Sequence, residues 1–126
     1  MKVLIMGGAG MIGQKLLNLI LSKKKIQNQD VSEITLFDII ESPYPLGTSI
    51  PISVKSGDIS NPQTSTDLVS TRPDVIFHLA AIVSGQAEQE FDLGWDINAR
   101  GSWGLFEAIR HLGDNYCPRV VFTSSI

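Results

Sequence analysis

Four glycines fall within seven residues at the start of this chain, Gly7-Gly8-Ala9-Gly10-Met11-Ile12-Gly13. They follow a short apolar run, residues 3–6, that reads as a buried strand ending at glycine. Directly afterwards Ile12, Leu16, Leu19 and Ile20 recur at helical spacing, which makes about residues 10–22 a helix. A strand that turns into a helix through glycines has few solutions. Two spacings fit, Gly7-x-x-Gly10-x-x-Gly13 and Gly8-x-Gly10-x-x-Gly13. In both, one glycine permits the tight turn, one lets backbone approach a pyrophosphate, and one lets helix and strand pack closely. The N–H groups and dipole at the helix start then favour a diphosphate. A tight strand–helix turn with no ligand is the simpler alternative.

The rest of the chain continues the alternation. Glu33–Asp38 is β-branched and aromatic, hence a second strand. Residues 39–49 hold two prolines and a glycine and read as a loop, and residues 52–55 form a third, weaker strand. Asn61-Pro62 is a helix start, an N-cap residue followed by proline in the first turn, and that helix runs to about Ser70. Residues 74–80 are nearly continuously apolar, which suits a fourth strand in a sheet covered on both faces. A helical region follows over about residues 88–112, interrupted near Gly94, and residues 120–123 form a fifth strand. The order β-α-β-β-α-β-α-β predicts an α/β fold with a doubly wound, mostly parallel sheet of the Rossmann type, stopping after its fifth strand.

Composition narrows the partners. The 126 residues carry a net charge of −3 with no basic patch, which argues against nucleic acid. The one basic run, Lys23-Lys24-Lys25, reads as a solvated helix C-terminus favoured by the macrodipole. The apolar run before Gly7 is too short for a signal peptide, and no stretch is apolar for long enough to span a membrane. The single cysteine, Cys117, forms no intrachain disulfide and is expected as a packed thiol. A cytoplasmic protein is expected.

The second strand ends in Asp38, about 25 positions after Gly13. A carboxylate there hydrogen-bonds both ribose hydroxyls and repels a 2′-phosphate. No arginine or lysine neighbours it in sequence, which favours NAD over NADP. A solvated strand terminus is the alternative.

In these residues and those that follow, the chain resembles the extended short-chain dehydrogenases/reductases, the group that includes NAD-dependent sugar-nucleotide epimerases and dehydratases. Met6-Gly-Gly-Ala-Gly-Met-Ile-Gly13 resembles their first-turn fingerprint. Gly57-Asp58-Ile59 resembles the turn where an Asp–hydrophobic pair meets the adenine. Asp74-Val-Ile-Phe-His-Leu-Ala-Ala81 resembles the fourth strand and the loop along the cofactor, and Asn98 stands where the family has an asparagine at the head of a long helix. Val120-Val-Phe-Thr-Ser-Ser125 resembles the fifth strand, which ends in the catalytic serine or threonine. Within the family, the runs 77–85 and 118–126 resemble enzymes that oxidise a hydroxyl of a four-carbon sugar acid with NAD.

The resemblance implies roles. Gly7, Gly10, Met11, Ile12 and Gly13 would hold the diphosphate region, and Asp38 the adenosine ribose. Asp58 and Ile59 would flank the adenine, while Leu79, Ala80, Ala81, Asn98 and Thr123 would line the cofactor. Ser125 would hydrogen-bond the reacting hydroxyl, and Ser84 and Gly85 would lie on the substrate side. No metal is implied. Plainer roles stand beside these: His78 as a satisfied core histidine, Asn98 as a partner of backbone groups on the buried face it shares with Gly101, Leu105 and Leu112, Thr123 and Ser124 as packing, and Trp95 and Trp103 as helix packing.

The family's base is a tyrosine whose pKa is lowered by a lysine four residues later on one helix face. Here Thr48 follows Tyr44 at that distance and Val120 follows Tyr116, so the pair is missing. The chain is therefore expected to be the N-terminal NAD-binding portion of a longer enzyme, without its substrate domain and inactive alone. The complete enzyme would act on a sugar acid, or on a nucleotide sugar as an epimerase or dehydratase, and would form a homodimer. A non-catalytic NAD-binding module is the reading from outside enzymology.

Overall fold

The computed structural model describes residues 1–79 and 101–123. The chain enters as strand β1 (Lys2–Met6), turns through the glycines and forms helix α1 (Met11–Lys23). Lys24 closes that helix in the left-handed region at φ 61°, its N–H reaching Ile20 O. A small hairpin follows, β2 (Lys25–Ile26) and β3 (Gln29–Asp30), joined by Gln27 and Asn28 at φ 48° and 66°. Two successive left-handed residues match the type I′ turn that suits the twist of paired strands. The lysine run is therefore split: Lys23 ends the helix, Lys24 caps it, and Lys25 begins the hairpin. Strands of two residues carry no readable periodicity, so this hairpin does not show in the sequence.

Then come β4 (Glu33–Asp38), β5 (Ile52–Ser56), helix α2 (Pro62–Val69), β6 (Val75–His78), helix α3 (Gly101–His111) and β7 (Arg119–Phe122). Asn61 caps α2 as its sequence indicates, with its side-chain oxygen accepting from Gln63 N at 3.0 Å.

The sheet order is β5-β4-β1-β6-β7, and every pair in it is parallel. The chain thus winds outward from β1 in one direction through β4 and β5, then in the other through β6 and β7. This is the doubly wound arrangement, with its switch point beside β1.

Side-chain alternation explains the layers. Val3 and Ile5 pack with Leu17 and Ile20 of α1 on one face, together with Ile34 and Leu36. Leu4 and Met6 pack with Leu68 and Val69 of α2 and with Leu105 and Ala108 of α3 on the other. Both faces of β1 are covered, so its apolar run has no polar alternation. On α3 the buried residues Gly101, Leu105 and Ala108 fix the orientation. Trp103 is consequently 70% exposed, which corrects its expected packing role. Cys117 is likewise exposed in the loop before β7 rather than packed.

Candidate dinucleotide-binding site

In a parallel sheet all strands end at one edge, and here the ends of β1, β4, β5, β6 and β7 place Gly7, Asp38, Gly57, Leu79 and Thr123 along it. The glycine turn occupies the centre. Gly7 adopts φ 95°, a conformation that side chains rarely take. The N–H groups of Gly7 and Gly8 both donate to Phe37 O, at 2.8 and 2.9 Å, which holds the turn against the end of β4.

The glycines differ in what they are for. A Cβ on Gly13 would stand 2.1 Å from Gly7 O, so helix and strand approach only because that atom is missing. Gly10 is different. Among the described residues a Cβ there would meet only Gly7 O, at 3.5 Å, and its φ of −76° and ψ of 169° suit any residue. The packing of the described residues does not require glycine at position 10. They leave the space in front of it open, as a close approach by a ligand demands.

The first helical hydrogen bond of α1 runs from Gln14 N to Gly10 O, so the N–H groups of Met11, Ile12 and Gly13 precede it. No acidic residue lies in that first turn. Met11 and Ile12 are 72% and 58% exposed, so the helix start is accessible. The positive end of the dipole meets solvent where a diphosphate would sit.

Asp38 lies beside this turn, and its carboxylate is oriented from two sides. Ala9 N donates to Oδ2 at 2.9 Å and Ile39 N to Oδ1 at 2.7 Å. A carboxylate offers about four acceptor positions, so among the described residues roughly two stay available for a pair of hydroxyls. These residues fit a dinucleotide's diphosphate and ribose. Lys55 stands in pairing register with Phe37, one position before Asp38, a neighbour that sequence adjacency does not reveal.

The remaining sites divide. Asp58 is exposed, and its Oδ1 accepts from both Ser60 Oγ at 2.7 Å and Ser60 N at 2.9 Å. Those bonds hold its carboxyl below the usual range, with the side-chain bond contributing most. Ile59 is 6% exposed and packs in the core with Leu68 and Leu105, so its side chain is turned from the edge. Leu79 is half-buried, its N–H bonded to Met6 O at 2.8 Å. Thr123 is exposed, with its N–H bonded to His78 O at 3.3 Å. Ala80, Ala81, Ser84, Gly85, Asn98, Ser124 and Ser125 lie outside the described residues, as does Trp95.

His78 is 2% exposed, with Nε2 3.2 Å from Ser102 Oγ and Phe122 edge-on to its ring. Among the described residues its buried Nδ1 has no hydrogen-bond partner. The histidine is in the core as expected, with one ring nitrogen satisfied among those residues, and burial pushes its pKa down. Tyr116 is at the far edge of the sheet, its hydroxyl donating to Pro73 O at 2.6 Å. Burial, aided by Asp74, pushes this phenol up to about 12, the reverse of what a catalytic base requires. The residue that sequence reading missed is Gln14, whose amide joins two parts of the site. Its signal, a polar residue half-buried in the first turn of an amphipathic helix, is too common to select it.

An open parallel sheet with this turn at its switch point and an oriented carboxylate at the next strand end defines a dinucleotide-binding unit. The chain belongs to the NAD dependent epimerase/dehydratase family, whose pattern it matches over residues 3–126. It is 41% identical to the D-erythronate dehydrogenase of Cupriavidus necator over its whole length, covering 39% of that protein. It is 32% identical to the D-erythronate dehydrogenase of Haemophilus influenzae, again over its whole length and covering 38% of that protein. The nucleoside-diphosphate-sugar epimerase from Agrobacterium tumefaciens superposes with a TM-score of 0.94 at 46% identity, over 100% of this chain and 37% of that one. The chain thus spans well under half the length of these relatives.

Proposed function

We propose that this chain is the N-terminal NAD-binding domain of an oxidoreductase that transfers hydride between NAD and a hydroxyl of a sugar acid resembling D-erythronate. One observation carries the binding reading: Gly10 opens onto space that the described residues leave free, beside an Asp38 carboxylate that two backbone N–H groups already orient. Identity of 41% to a D-erythronate dehydrogenase supports the substrate class. The similar fold and 46% identity of a nucleoside-diphosphate-sugar epimerase support the second reading, an epimerase or dehydratase on the same scaffold. The cytoplasm is the proposed location and a homodimer the proposed state of the whole enzyme. Among the described residues no helix is long and apolar enough to cross a membrane.

In this reading the first turn of α1 holds the diphosphate and Asp38 the adenosine ribose. Bound NAD supplies the hydride acceptor. Ser125 orients the substrate hydroxyl and stabilises charge that develops on its oxygen. The base that removes the hydroxyl proton is not supplied by this stretch: neither tyrosine has a lysine four residues on, and the Tyr116 phenol is bonded to Pro73 O.

The 126-residue chain is accordingly expected to bind NAD and turn over nothing. Loss of a general base lowers rates by about 10²–10⁴-fold. The test is NADH formation with purified chain, saturating NAD and a panel of sugar acids including D-erythronate, beside the protein of relatives' length that carries this sequence. Turnover only by the longer protein supports the proposal. Saturable turnover by the 126-residue chain, lost in Ser125→Ala, refutes its dependence on an outside base.

A further inference from the structure

Gln14 sits in the first turn of α1, half-buried, and its side chain joins two segments far apart in sequence. Its Nε2 donates to Gly8 O at 2.7 Å and to Pro43 O at 2.8 Å. Gly8 is in the glycine turn. Pro43 is in the loop that follows Asp38. Among the described residues this is the hydrogen bond that ties the loop's first half to the turn; the other close contact is Ser42, 1% exposed, whose Oγ would stand 3.0 Å from a Cβ on Gly8.

A closed ring results. Ala9 N holds Asp38 Oδ2, Ile39 N holds Oδ1, the chain runs on to Pro43, and Gln14 returns it to Gly8. The carboxylate is thus oriented by one N–H from the turn and one from its own next peptide. The Ile39 N–H shares a peptide with Asp38 O, which Gly57 N holds at 3.1 Å, so that bond stays when the loop is released. The Ala9 N–H shares a peptide with Gly8 O, which Gln14 holds, so without the Gln14 amide that peptide can turn and the carboxylate loses the bond to Oδ2.

We propose that Gln14 is a positioning residue for the ribose-binding carboxylate, and that its double hydrogen bond sets how strongly the site discriminates a free ribose 2′-hydroxyl from a 2′-phosphate. The inference rests on the reading of Asp38 as the ribose ligand. A loosely held carboxylate makes weaker bonds to two hydroxyls, and it also swings away from a 2′-phosphate that a fixed one repels. The two effects oppose each other for NADP and act in one direction for NAD, so the preference narrows. A purely structural role would weaken both cofactors alike.

The test is calorimetric titration with NAD and with NADP of the chain and of Gln14→Met, Asp38→Ala and the Gln14→Met/Asp38→Ala double variant. Met keeps the length and removes both donors. One hydrogen bond of ordinary strength corresponds to about a 5-fold change. The NAD:NADP preference is expected to fall about 5-fold in Gln14→Met. In the Asp38→Ala background Gln14→Met should leave the ratio unchanged, because its route runs through the carboxylate. Should Gln14→Met not fold, Gln14→Ala takes its place in the same comparison. Parallel weakening of both cofactors, or no change, while Asp38→Ala still shifts the preference, overturns the role of Gln14 alone. An unshifted preference in Asp38→Ala overturns the ribose assignment and the Gln14 inference with it.

Discussion

Replacing Gly10 and Gly13 by alanine should separate what folds this domain from what it binds. Among the described residues, the methyl added at Gly10 meets one backbone oxygen, Gly7 O, at 3.5 Å, an ordinary contact, in a backbone conformation that alanine takes without strain. Restricting the unfolded chain stabilises by about 0.4–1 kcal/mol, and losing glycine at a helix N-cap costs a similar amount. The net change should lie within about 0.5 kcal/mol, which moves the melting temperature by no more than about 3 °C. NAD affinity behaves differently. The methyl occupies space that backbone would otherwise present to the pyrophosphate, and a loss of at least about 100-fold, near 2.7 kcal/mol, is expected. At Gly13 the methyl would stand 2.1 Å from Gly7 O, closer than atoms ever come. The glycine turn must shift, so Gly13→Ala should lower the melting temperature by about 10 °C or more, whatever ligand is present. Differential scanning calorimetry gives the stability arm and isothermal titration the binding arm. Gly10→Ala that binds NAD as tightly as the parent protein would refute the assignment of this turn. Gly10→Ala as unstable as Gly13→Ala would refute the reasoning from contacts.

Three further outcomes follow from the same structure. His78 has a lowered pKa in the fold, so below its unfolded value of about 6.5 the unfolded chain takes up a proton that the fold resists; stability should fall as pH drops from about 7 towards 5, and the slope of urea midpoints against pH should flatten in His78→Phe. Asn61→Ala removes the cap that accepts from Gln63 N and should cost about 1 kcal/mol in urea denaturation, with NAD binding unchanged. Ser60→Ala should raise the Asp58 pKa towards that of a free aspartate, read from the carboxyl carbon shift in an NMR titration.

The sequence carries the central sheet well because its signals are local. Glu33–Asp38 is recognisable by β-branching and by the acidic residue at its end, and α2 by Asn61-Pro62. The two-residue strands of the hairpin after α1 are not legible, since their pairing depends on two left-handed residues rather than on a pattern. Trp103 shows another limit: its helix is readable, but which face meets the sheet follows from Gly101, Leu105 and Ala108 together. In the site, glycine spacing points to the turn but does not distinguish Gly13, required by Gly7 O, from Gly10, required by no contact among the described residues. The Ile59 side chain shows the converse, since a residue expected from its motif to flank the adenine packs in the core. Gln14 is invisible to any spacing argument because its partners, Gly8 O and Pro43 O, are backbone atoms brought together only by the fold.

The most direct test of the account is a comparison of NAD and NADP binding by the chain and by Asp38→Ala, measured by isothermal titration under one set of salt and pH conditions. A carboxylate fixed by Ala9 N and Ile39 N should bind both ribose hydroxyls and repel a 2′-phosphate. The chain should show saturable one-to-one binding of NAD, at least about tenfold tighter than NADP, and a gap that narrows in Asp38→Ala. Equal affinity for the two cofactors, or a preference for NAD that survives the loss of Asp38, would contradict it.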